Sequence, residues 1–408
     1  MNLYLSKEYT GLNFDIKYDP VEDKNNFVKK IEEGFVIGTK EFTEISKLYN
    51  FLIPNFPPEK YIDSYRKLLK FTSVDNVPWK FCIPQKTYLE ILLTTARETY
   101  KNIKDLDLTY YETYKKGQAI IDSLKPVKIN KEYYSQIISE PNVHSFKPGE
   151  DGFADPVIYD RTEIVTGRLK VVSGPNILNL KKEHRKIITS RFGSDGSIYY
   201  LDFMSLEPRF LLMLTRNDIN PPKDIYEFIK TSQNLSDYSR SDIKNVVISE
   251  LYGAGMTSLK ERLPNITDRS LNYLVSSIRD YFQTFKFKED LLKEYEKNNK
   301  AYINNFYGRP VSTLEIGTYA LINRFVQSSA VDVALLGFSN MISTIKELDL
   351  ENKIIPSLIL HDGIFFDTHK DSEQIIPLLC KIGSKNIPGF ENKTFYISSE
   401  KLTATETL

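Results

Sequence analysis

Residues 197–214 read SIYYLDFMSLEPRFLLML, and the architecture predicted for the chain depends on this stretch. Residues 198–201 form a continuous apolar and aromatic run with strong strand preference, and the apolar residues that follow recur at helical spacing. Asp202 is therefore predicted to lie where a buried strand ends. Taken alone, an Asp at such a position is most often a turn residue or a helix cap. Burying an unpaired carboxylate costs several kcal/mol, so an interior Asp202 needs a cation nearby.

Residues 357–366, SLILHDGIFF, are a second stretch of the same kind. An apolar run, a polar pair and another apolar run predict a β-hairpin with Asp362 at or beside its tip. Asp362 alone, like Asp202, is better explained as a turn residue. Together, two aspartates on neighbouring strand ends suit a site for two cations about 4 Å apart, which would activate a hydroxyl and stabilise a leaving phosphate.

Length and composition describe an ordinary soluble protein. The 408 residues fit two to four subdomains, with 41% hydrophobic and 26% charged residues. Two cysteines, Cys82 and Cys380, argue for a reducing compartment and against a disulfide framework or a thiolate zinc site. No apolar run reaches the ~20 residues of a membrane span, and the first residues lack a secretory signal. We therefore expect a cytoplasmic protein with no membrane partner.

The charge balance argues mildly against a nucleic-acid partner. Lys plus Arg and Asp plus Glu both number 54, and phosphate binding needs clustered cations. Residues 181–191 form such a cluster, although a solvated charged face is its default explanation.

Several helices are predicted along the chain. Residues 88–100 and 108–124 should form two long, partly exposed helices that could act as an arm. Residues 141–157 read as a loop, and a proline group at 54–58 marks a boundary after an N-terminal region whose role the sequence does not reveal. Further helices are predicted at residues 269–300 and 320–336. A helix is also predicted after Pro221 and Pro222, with Asp224 as its first-turn or capping acid.

Residues 240–252 are predicted to form a helix with one distinctive face. Arg240, Lys244 and Tyr252 fall within a single stripe, and Gly253 and Gly255 end the helix. Two stacked cations with an aromatic beyond them suit a polyphosphate joined to a base or sugar. Without further context, a solvated amphipathic helix is the simpler explanation.

Two other polar groups are candidates for ligand contact. Gly167 beside Arg168 lets the backbone approach a ligand while the guanidinium contacts acceptors, although such a pair usually means a turn. Asn323 and Gln327 share one helix face beside the small residues 328–330, which permits close approach of a strand or a base edge. A polar helix face is the commoner meaning of that pattern.

The order of these motifs is more specific than any one of them. TGRL, DFMSLEPR, R-x3-K-x7-YG, N-x3-Q and HD between apolar strands resemble the polymerase region of family A DNA polymerases, the bacterial DNA polymerase I group. The resemblance covers about residues 155–400. It implies an α/β right-hand fold with an antiparallel-sheet palm, helical fingers and a helical thumb. The implied regions are an N-terminal region (1–60), a thumb-like arm (61–157), a first palm segment (158–213), fingers (214–305) and a second palm segment (306–408).

The resemblance also implies the catalytic groups. Asp202, Asp362 and the backbone carbonyl of Phe203 would hold two Mg²⁺ ions, for which Mn²⁺ can substitute. Arg240 and Lys244 would bind the triphosphate of the incoming dNTP, with Lys244 also protonating the pyrophosphate. One ion would lower the pKa of the primer 3′-hydroxyl, and the other would bind the leaving pyrophosphate.

Substrate contacts follow from the same resemblance. Glu207, together with an aromatic at the end of the fingers helix, would exclude a ribose 2′-hydroxyl and so favour dNTP over NTP. Tyr252 would lie next to the templating base. Minor-groove acceptors are shared by all base pairs, so contacts there suit a polymerase. The implied DNA-binding residues are Arg168, Asn323, Gln327, His361 and Arg209.

Three positions depart from the family pattern. Gly363 replaces the glutamate of the usual HDE motif, which predicts altered metal affinity more than inactivity. Ile248 stands where the family has Phe or Tyr, which affects sugar stacking and discrimination against dideoxynucleotides. Tyr226 replaces a phosphate-contacting histidine, a role that its hydroxyl could partly fill.

The sequence thus predicts a template-directed DNA polymerase that binds primer-template DNA. The chain is short and its N-terminal FDIKYD supplies no Asp-x-Glu, so we expect no proofreading exonuclease and a phage-type or mobile-element source. The thumb is also small, so we expect tight DNA binding to need a processivity or exonuclease partner protein. A non-catalytic, polymerase-derived DNA-binding or replisome scaffold protein is the alternative, motivated by Gly363, Ile248 and the neutral charge. An RNA polymerase or terminal transferase is disfavoured by Glu207.

Overall fold

The computed structural model describes residues 3–5, 15–28, 35–37, 61, 63–64, 67, 83–103, 109–314 and 316–402. The chain divides into two compact units, Met1–Leu108 and Thr109–Leu408. This boundary falls inside the predicted arm, 61–157, so its two helices belong to different units. The predicted boundary at 54–58 and Cys82 lie outside the described residues.

Among the described residues of the first unit are a small mixed sheet and a long helix. The sheet has the order β3-β2-β1-β4, in which only β1 and β4 run parallel. Leu3, Ile16, Leu92 and Ala96 form its core, because the apolar side of the helix covers one face of the sheet. The elements are β1 (Leu3–Leu5), β2 (Asp15–Asp19), β3 (Lys24–Val28), β4 (Phe35–Ile37) and α1 (Gln85–Ile103).

The second unit carries the predicted motifs. Its helices are α2 (Thr109–Ser123), α3 (Lys131–Ile137), α4 (Leu206–Thr215), α5 (Ile225–Ser232), α6 (Arg240–Tyr252), α7 (Met256–Arg262), α8 (Asp268–Tyr281), α9 (Thr284–Lys297), α10 (Leu321–Glu347) and α11 (Ile376–Gly383). Its strands are β5 (Lys128–Ile129), β6 (Ile158–Asp160), β7 (Lys170–Ser173), β8 (Ile188–Thr189), β9 (Gly196–Phe203), β10 (Tyr302–Asn304), β11 (Pro310–Ser312), β12 (Ile354–Leu360), β13 (Gly363–His369) and β14 (Ile397–Leu402).

An antiparallel sheet of order β12-β13-β9-β14 forms the centre of this unit. Along β9, side chains alternate between the two faces. Ile198 belongs to a core cluster with Phe146 and Phe365, whereas the Phe203 ring lies 6.0 Å from that of Phe338 in α10. The strand ending near Asp202, the hairpin at 357–366 and the mixed fold class with an antiparallel sheet are all confirmed.

Helix α10 is the central helix of the unit and is longer than the predicted 320–336. It packs against α2, α4, α6, α9 and α11. Within the described residues, the stretch Thr318–Glu347 is long and apolar enough to span a membrane, but 78% of its most apolar window is buried in the protein. Its hydropathy therefore reflects a helix surrounded by other helices.

The predicted helical segment at 269–300 consists of two helices, α8 and α9. Gln283 adopts a left-handed conformation between them (φ 50°), which interrupts the helical hydrogen-bond ladder. The break allows both Tyr281 and Phe282 to be buried. Periodicity alone does not reveal this break, because the apolar spacing resumes on the other side.

A buried polar cluster joins α2, α10 and the β10–β11 turn. Asp332 accepts hydrogen bonds from Tyr110 Oη at 3.0 Å and from Asn305 Nδ2 at 2.7 Å. The Arg161 guanidinium lies 3.6 Å from the same carboxylate. All four side chains are buried, so this network fixes how the three elements pack.

Candidate active site

Asp202 and Asp362 lie side by side at the end of the central sheet. Asp202 is opposite Gly363 in the β9–β13 register, and the Phe203 N–H donates to the Asp362 carbonyl at 3.2 Å. His361 and Asp362 form the two-residue connection between β12 and β13. His361 has a φ of 54°, the left-handed conformation that such short hairpin connections require. The hairpin thereby presents Asp362 beside Asp202.

The negative charge on either carboxylate, Asp202 or Asp362, disfavours ionisation of the other. Burial, followed by the Asp202 carboxylate, raises the pKa of Asp362 to about 7. Burial also raises the pKa of Asp202, and the Tyr200 hydrogen bond opposes this shift. A divalent cation between the two groups would remove this repulsion.

The two carboxylates suit a Mg²⁺ site in which other ligands complete the coordination of the ion. Within the described residues, no group of three or more His, Cys, Asp or Glu side chains could hold a metal ion. Mg²⁺ is commonly held by one or two carboxylates, with substrate phosphates and water as its other ligands. The Asp202 and Asp362 pair therefore fits an open site, in which water or substrate phosphates would complete the ion's ligands, but not a closed structural metal site.

A cleft of about 370 Å³ opens beside Asp362. Its walls come from α4, α5, α6, α10 and the hairpin tip, which are far apart in sequence. The structure thus brings most of the predicted site residues to one cavity. Those that line it are Arg168, Glu207, Tyr226, Ile248, Tyr252, Gln327, His361 and Asp362.

Glu207 connects three elements across this cleft. Its carboxylate accepts a hydrogen bond from Arg168 Nη2 at 2.8 Å and another from Tyr252 Oη at 2.8 Å. Burial and the Glu207 carboxylate raise the pKa of Tyr252, so the phenol remains a donor at neutral pH. Burial and the Arg168 guanidinium lower the pKa of His361, so its imidazole is neutral there.

The predicted cations of α6 lie at its N-terminal half and do not line the cleft. Arg240 pairs with Asp224 at 2.7 Å, and its guanidinium lies 5.2 Å from the centre of the Tyr226 ring. Asp224 also caps α5, as predicted, by accepting from two backbone N–H groups. Lys244 is exposed and has no ion pair or hydrogen bond to the residues described in this unit. Both cations therefore remain accessible to an anion.

Gly253 ends α6 as predicted. Its φ of 67° is left-handed, and a Cβ there would lie 2.5 Å from the Tyr319 carbonyl oxygen. Only glycine satisfies both conditions, so Tyr252 is held at the last turn of the helix.

The two amides of α10 are in different environments. Gln327 lines the cleft. The Asn323 Nδ2 atom is buried and lacks a hydrogen-bond partner among the described residues. A buried amide donor without a partner is unusual in a folded protein, and Asn323, which does not line the cleft, would have to change rotamer to meet a ligand.

Arg209 does not have the predicted DNA-binding position. Its side chain is 0% exposed and donates to the carbonyls of Pro221 at 2.8 Å and Lys223 at 3.0 Å. The guanidinium lies 4.8 Å from the centre of the Tyr396 ring. Arg209 therefore supports the connection between α4 and α5 from inside the protein and cannot reach DNA.

Two other sequence interpretations are also corrected. Ser328 and Ser329 are fully buried and accept hydrogen bonds from Asn305 Nδ2 and the Phe306 N–H, so protein atoms, and not a base edge, approach these two serines. Ala330, the third small residue, does line the cleft. A Cβ at Gly167 (φ 76°) would overlap the Arg309 guanidinium. That glycine accommodates a buried arginine and not a ligand.

Tyr200 and Arg185 are site residues that sequence reasoning missed. Tyr200 Oη donates to Asp202 Oδ1 at 2.9 Å, and the Arg185 guanidinium lies 5.6 Å from the centre of the Tyr200 ring. Tyr200 precedes Asp202 by two residues on a strand, so the sequence could have predicted that both side chains lie on the same face of the sheet. The position of Arg185 could not be predicted from the sequence, because it depends on how the 3₁₀ helix Lys182–Ile187 packs.

Comparison with known proteins gives a structural likeness only. No protein-family model matches the sequence, and no curated protein matches it. A similar solved structure is the POL domain of Pol1 from M. smegmatis, in complex with DNA primer-template and dNTP. The TM-score is 0.50 at 16% sequence identity, over 88% of this chain and 63% of that chain. The chain thus has a polymerase-domain fold and spans less than two thirds of that structure.

Proposed function

We propose that the protein is a template-directed DNA polymerase of the family A type, which adds dNTPs to a primer 3′-hydroxyl. The observation that carries the proposal is the adjacency of Asp202 to Asp362, which lines a cleft together with Glu207 and Tyr252. The polymerase-domain fold supports it, because the similar structure holds DNA primer-template and dNTP. A protein that only binds DNA has no need for two mutually repelling carboxylates.

The reaction is the in-line attack of the primer 3′-oxygen on the α-phosphorus of the dNTP, which forms one P–O bond and releases pyrophosphate. Asp202, Asp362 and the Phe203 carbonyl would hold two Mg²⁺ or Mn²⁺ ions, which when bound lower the pKa of the attacking hydroxyl and stabilise charge on the leaving group. Lys244 and Arg240 bind the triphosphate, and Lys244 donates a proton to the pyrophosphate. Arg240 exchanges its Asp224 ion pair for phosphate oxygens.

The nucleotide and DNA contacts follow from the cleft. Glu207, with Tyr252 hydrogen-bonded to it, occupies the side of the cleft where a ribose 2′-hydroxyl would clash. Arg168, Gln327 and His361 line the same cavity and would contact the primer end. The unpaired Asn323 amide would donate to a minor-groove acceptor.

Primer extension tests this function. The whole chain is incubated with a primer-template, dNTPs and either Mg²⁺ or Mn²⁺, and duplex affinity is measured in parallel. Asp202→Asn and Asp362→Asn should each reduce extension by at least about 10³-fold while duplex affinity stays near that of the unchanged protein. Asp290→Asn, at an exposed carboxylate of α9, is the matched control and should extend normally.

The outcomes separate the candidate functions. Unchanged extension by the Asp202 and Asp362 variants contradicts the assignment of these residues. Tight duplex binding without extension in either metal would favour the scaffold alternative. Incorporation of NTPs, or extension without template, would favour the RNA polymerase or terminal transferase alternative.

A further inference from the structure

The first residue of β13, Gly363, is a glycine for reasons of space. Its φ is not in the left-handed range, so the backbone there would accept other residues. A Cβ on residue 363 would lie 2.5 Å from the Tyr200 hydroxyl oxygen and would overlap the ring. The Tyr200 side chain thus fills the volume that any side chain at 363 would need.

Tyr200 is held in this position from several directions. Its ring centre lies 4.6 Å from that of Phe365, the residue opposite it on β13. The Arg185 guanidinium lies 5.6 Å from its ring centre. These contacts direct the hydroxyl along the strand toward Asp202 and the hairpin tip.

The hydroxyl has one proton and two acceptors within reach. Asp202 Oδ1 is at 2.9 Å and the Leu360 carbonyl is at 3.3 Å. A charged acceptor at the shorter distance forms the stronger bond. The proton is therefore donated to Asp202 Oδ1, and the other carboxylate oxygen has no hydrogen bond from the described residues.

We propose that Tyr200 is a positioning residue that fixes the Asp202 carboxylate for cation binding, and that Gly363 is present to admit it. The inference rests on the proposed two-cation function of Asp202 and deepens it. In the HDE motif of the family that the sequence resembles, a glutamate follows the aspartate that Asp362 matches. In this chain Gly363 takes the place of that glutamate, and the neutral phenol of Tyr200 fills the space beside it. The site thereby carries one negative charge fewer, and Asp202 is oriented by a hydrogen bond instead.

Tyr200→Phe tests the hydrogen bond, because it keeps the ring between Phe365 and Arg185 and removes only the donor. Loss of a group that orients a metal ligand typically weakens metal affinity by 10–100-fold. We expect Mn²⁺ affinity, measured by titration calorimetry without nucleotide or DNA, to fall about tenfold. The half-saturating Mg²⁺ concentration for extension should rise by a similar factor, with little change in rate at saturating Mg²⁺.

Tyr199→Phe is the matched control. Tyr199 is the neighbouring residue on the opposite face of β9, where Lys401 Nζ lies 5.6 Å from its ring centre. Its cation affinity should not change. If Tyr200→Phe binds Mn²⁺ as tightly as the unchanged protein while Asp202→Asn binds it weakly, the positioning role is wrong and the function of Asp202 stands. If Asp202→Asn also leaves Mn²⁺ affinity and extension unchanged, the proposed function itself fails.

A double-mutant cycle tests the role of Gly363. Gly363→Ala should lower the melting temperature, because the new methyl group displaces Tyr200. In a Tyr200→Ala background the same substitution should cost little, because the space is then empty. An equal loss of stability in both backgrounds would show that Gly363 is required for another reason and would overturn this element of the proposal.

Discussion

Tyr252 in the last turn of α6 donates a 2.8 Å hydrogen bond to Glu207 in the first turn of α4. Arg168 donates to the other oxygen of the same carboxylate. Glu207 is thus held between two donors on separate elements, and its position in the cleft does not depend on the rotamer freedom of an isolated side chain. A carboxylate fixed in this way can exclude a substrate hydroxyl by sterics and by desolvation.

We expect Glu207→Ala to weaken discrimination between dNTP and NTP, because it opens space and removes the acceptor of both donors. The ratio of kcat/KM for dNTP to that for NTP should fall by at least about tenfold, or roughly 1.4 kcal/mol. Glu207→Gln keeps the size and should retain most of the discrimination. An unchanged ratio in Glu207→Ala would mean that another group excludes the hydroxyl.

Asp362 should reduce the stability of the metal-free protein at high pH. Its folded-state pKa of about 7 lies above its ordinary value, so the folded state binds more protons between these two values. The free energy of unfolding therefore falls as pH rises through that window, and the full cost is present above about pH 7. We expect Asp362→Asn to melt several degrees higher than the unchanged protein in EDTA at about pH 8, and nearly equally at about pH 4.

Mg²⁺ addition provides the complementary measurement. At about pH 8 it should raise the melting temperature of the unchanged protein, because it stabilises the ionised carboxylates. It should have little effect on Asp362→Asn. Equal metal stabilisation of both proteins would contradict a cation site at Asp362.

Arg209→Met should destabilise the protein without changing DNA affinity. The substitution leaves the buried carbonyls of Pro221 and Lys223 without their donor, at a cost of about 3 kcal/mol. Duplex affinity of the folded variant should equal that of the unchanged protein. Arg168→Met, at a cleft residue, should weaken duplex binding, and the contrast tests the proposed DNA-binding role of Arg168 against the structural role of Arg209.

Tyr110→Phe should reveal the contribution of the buried network around Asp332. The hydroxyl that donates to Asp332 is lost in the interior, so we expect a loss of about 2 kcal/mol in denaturant unfolding. Tyr273→Phe on the exposed side of α8 is the control and should be neutral. A neutral Tyr110→Phe would show that water or another donor replaces the phenol.

Strands, turns and helix ends could be predicted from the sequence, because residues close by in the chain determine them. The apolar run before Asp202, the polar pair in the hairpin and the glycine after Tyr252 are patterns of period and turn chemistry within about ten residues. The Asp224 cap was readable for the same reason. The resemblance paired Glu207 with an aromatic at the end of the fingers helix, but the hydrogen bond from Tyr252 could not be derived from the residues themselves, because 45 positions separate the two.

The sequence by itself determined the strand that carries Asp202, the hairpin that carries Asp362, and the helix that carries Arg240, Lys244 and Tyr252. Only the tertiary structure decided which polar residues reach the cleft. It buried Arg209 and Ser329, and it filled the space beside Gly363 with the Tyr200 ring. The physical reason is that burial and steric exclusion at one residue are set by atoms far away in sequence, whereas strand, turn and cap preferences are set by neighbours along the chain.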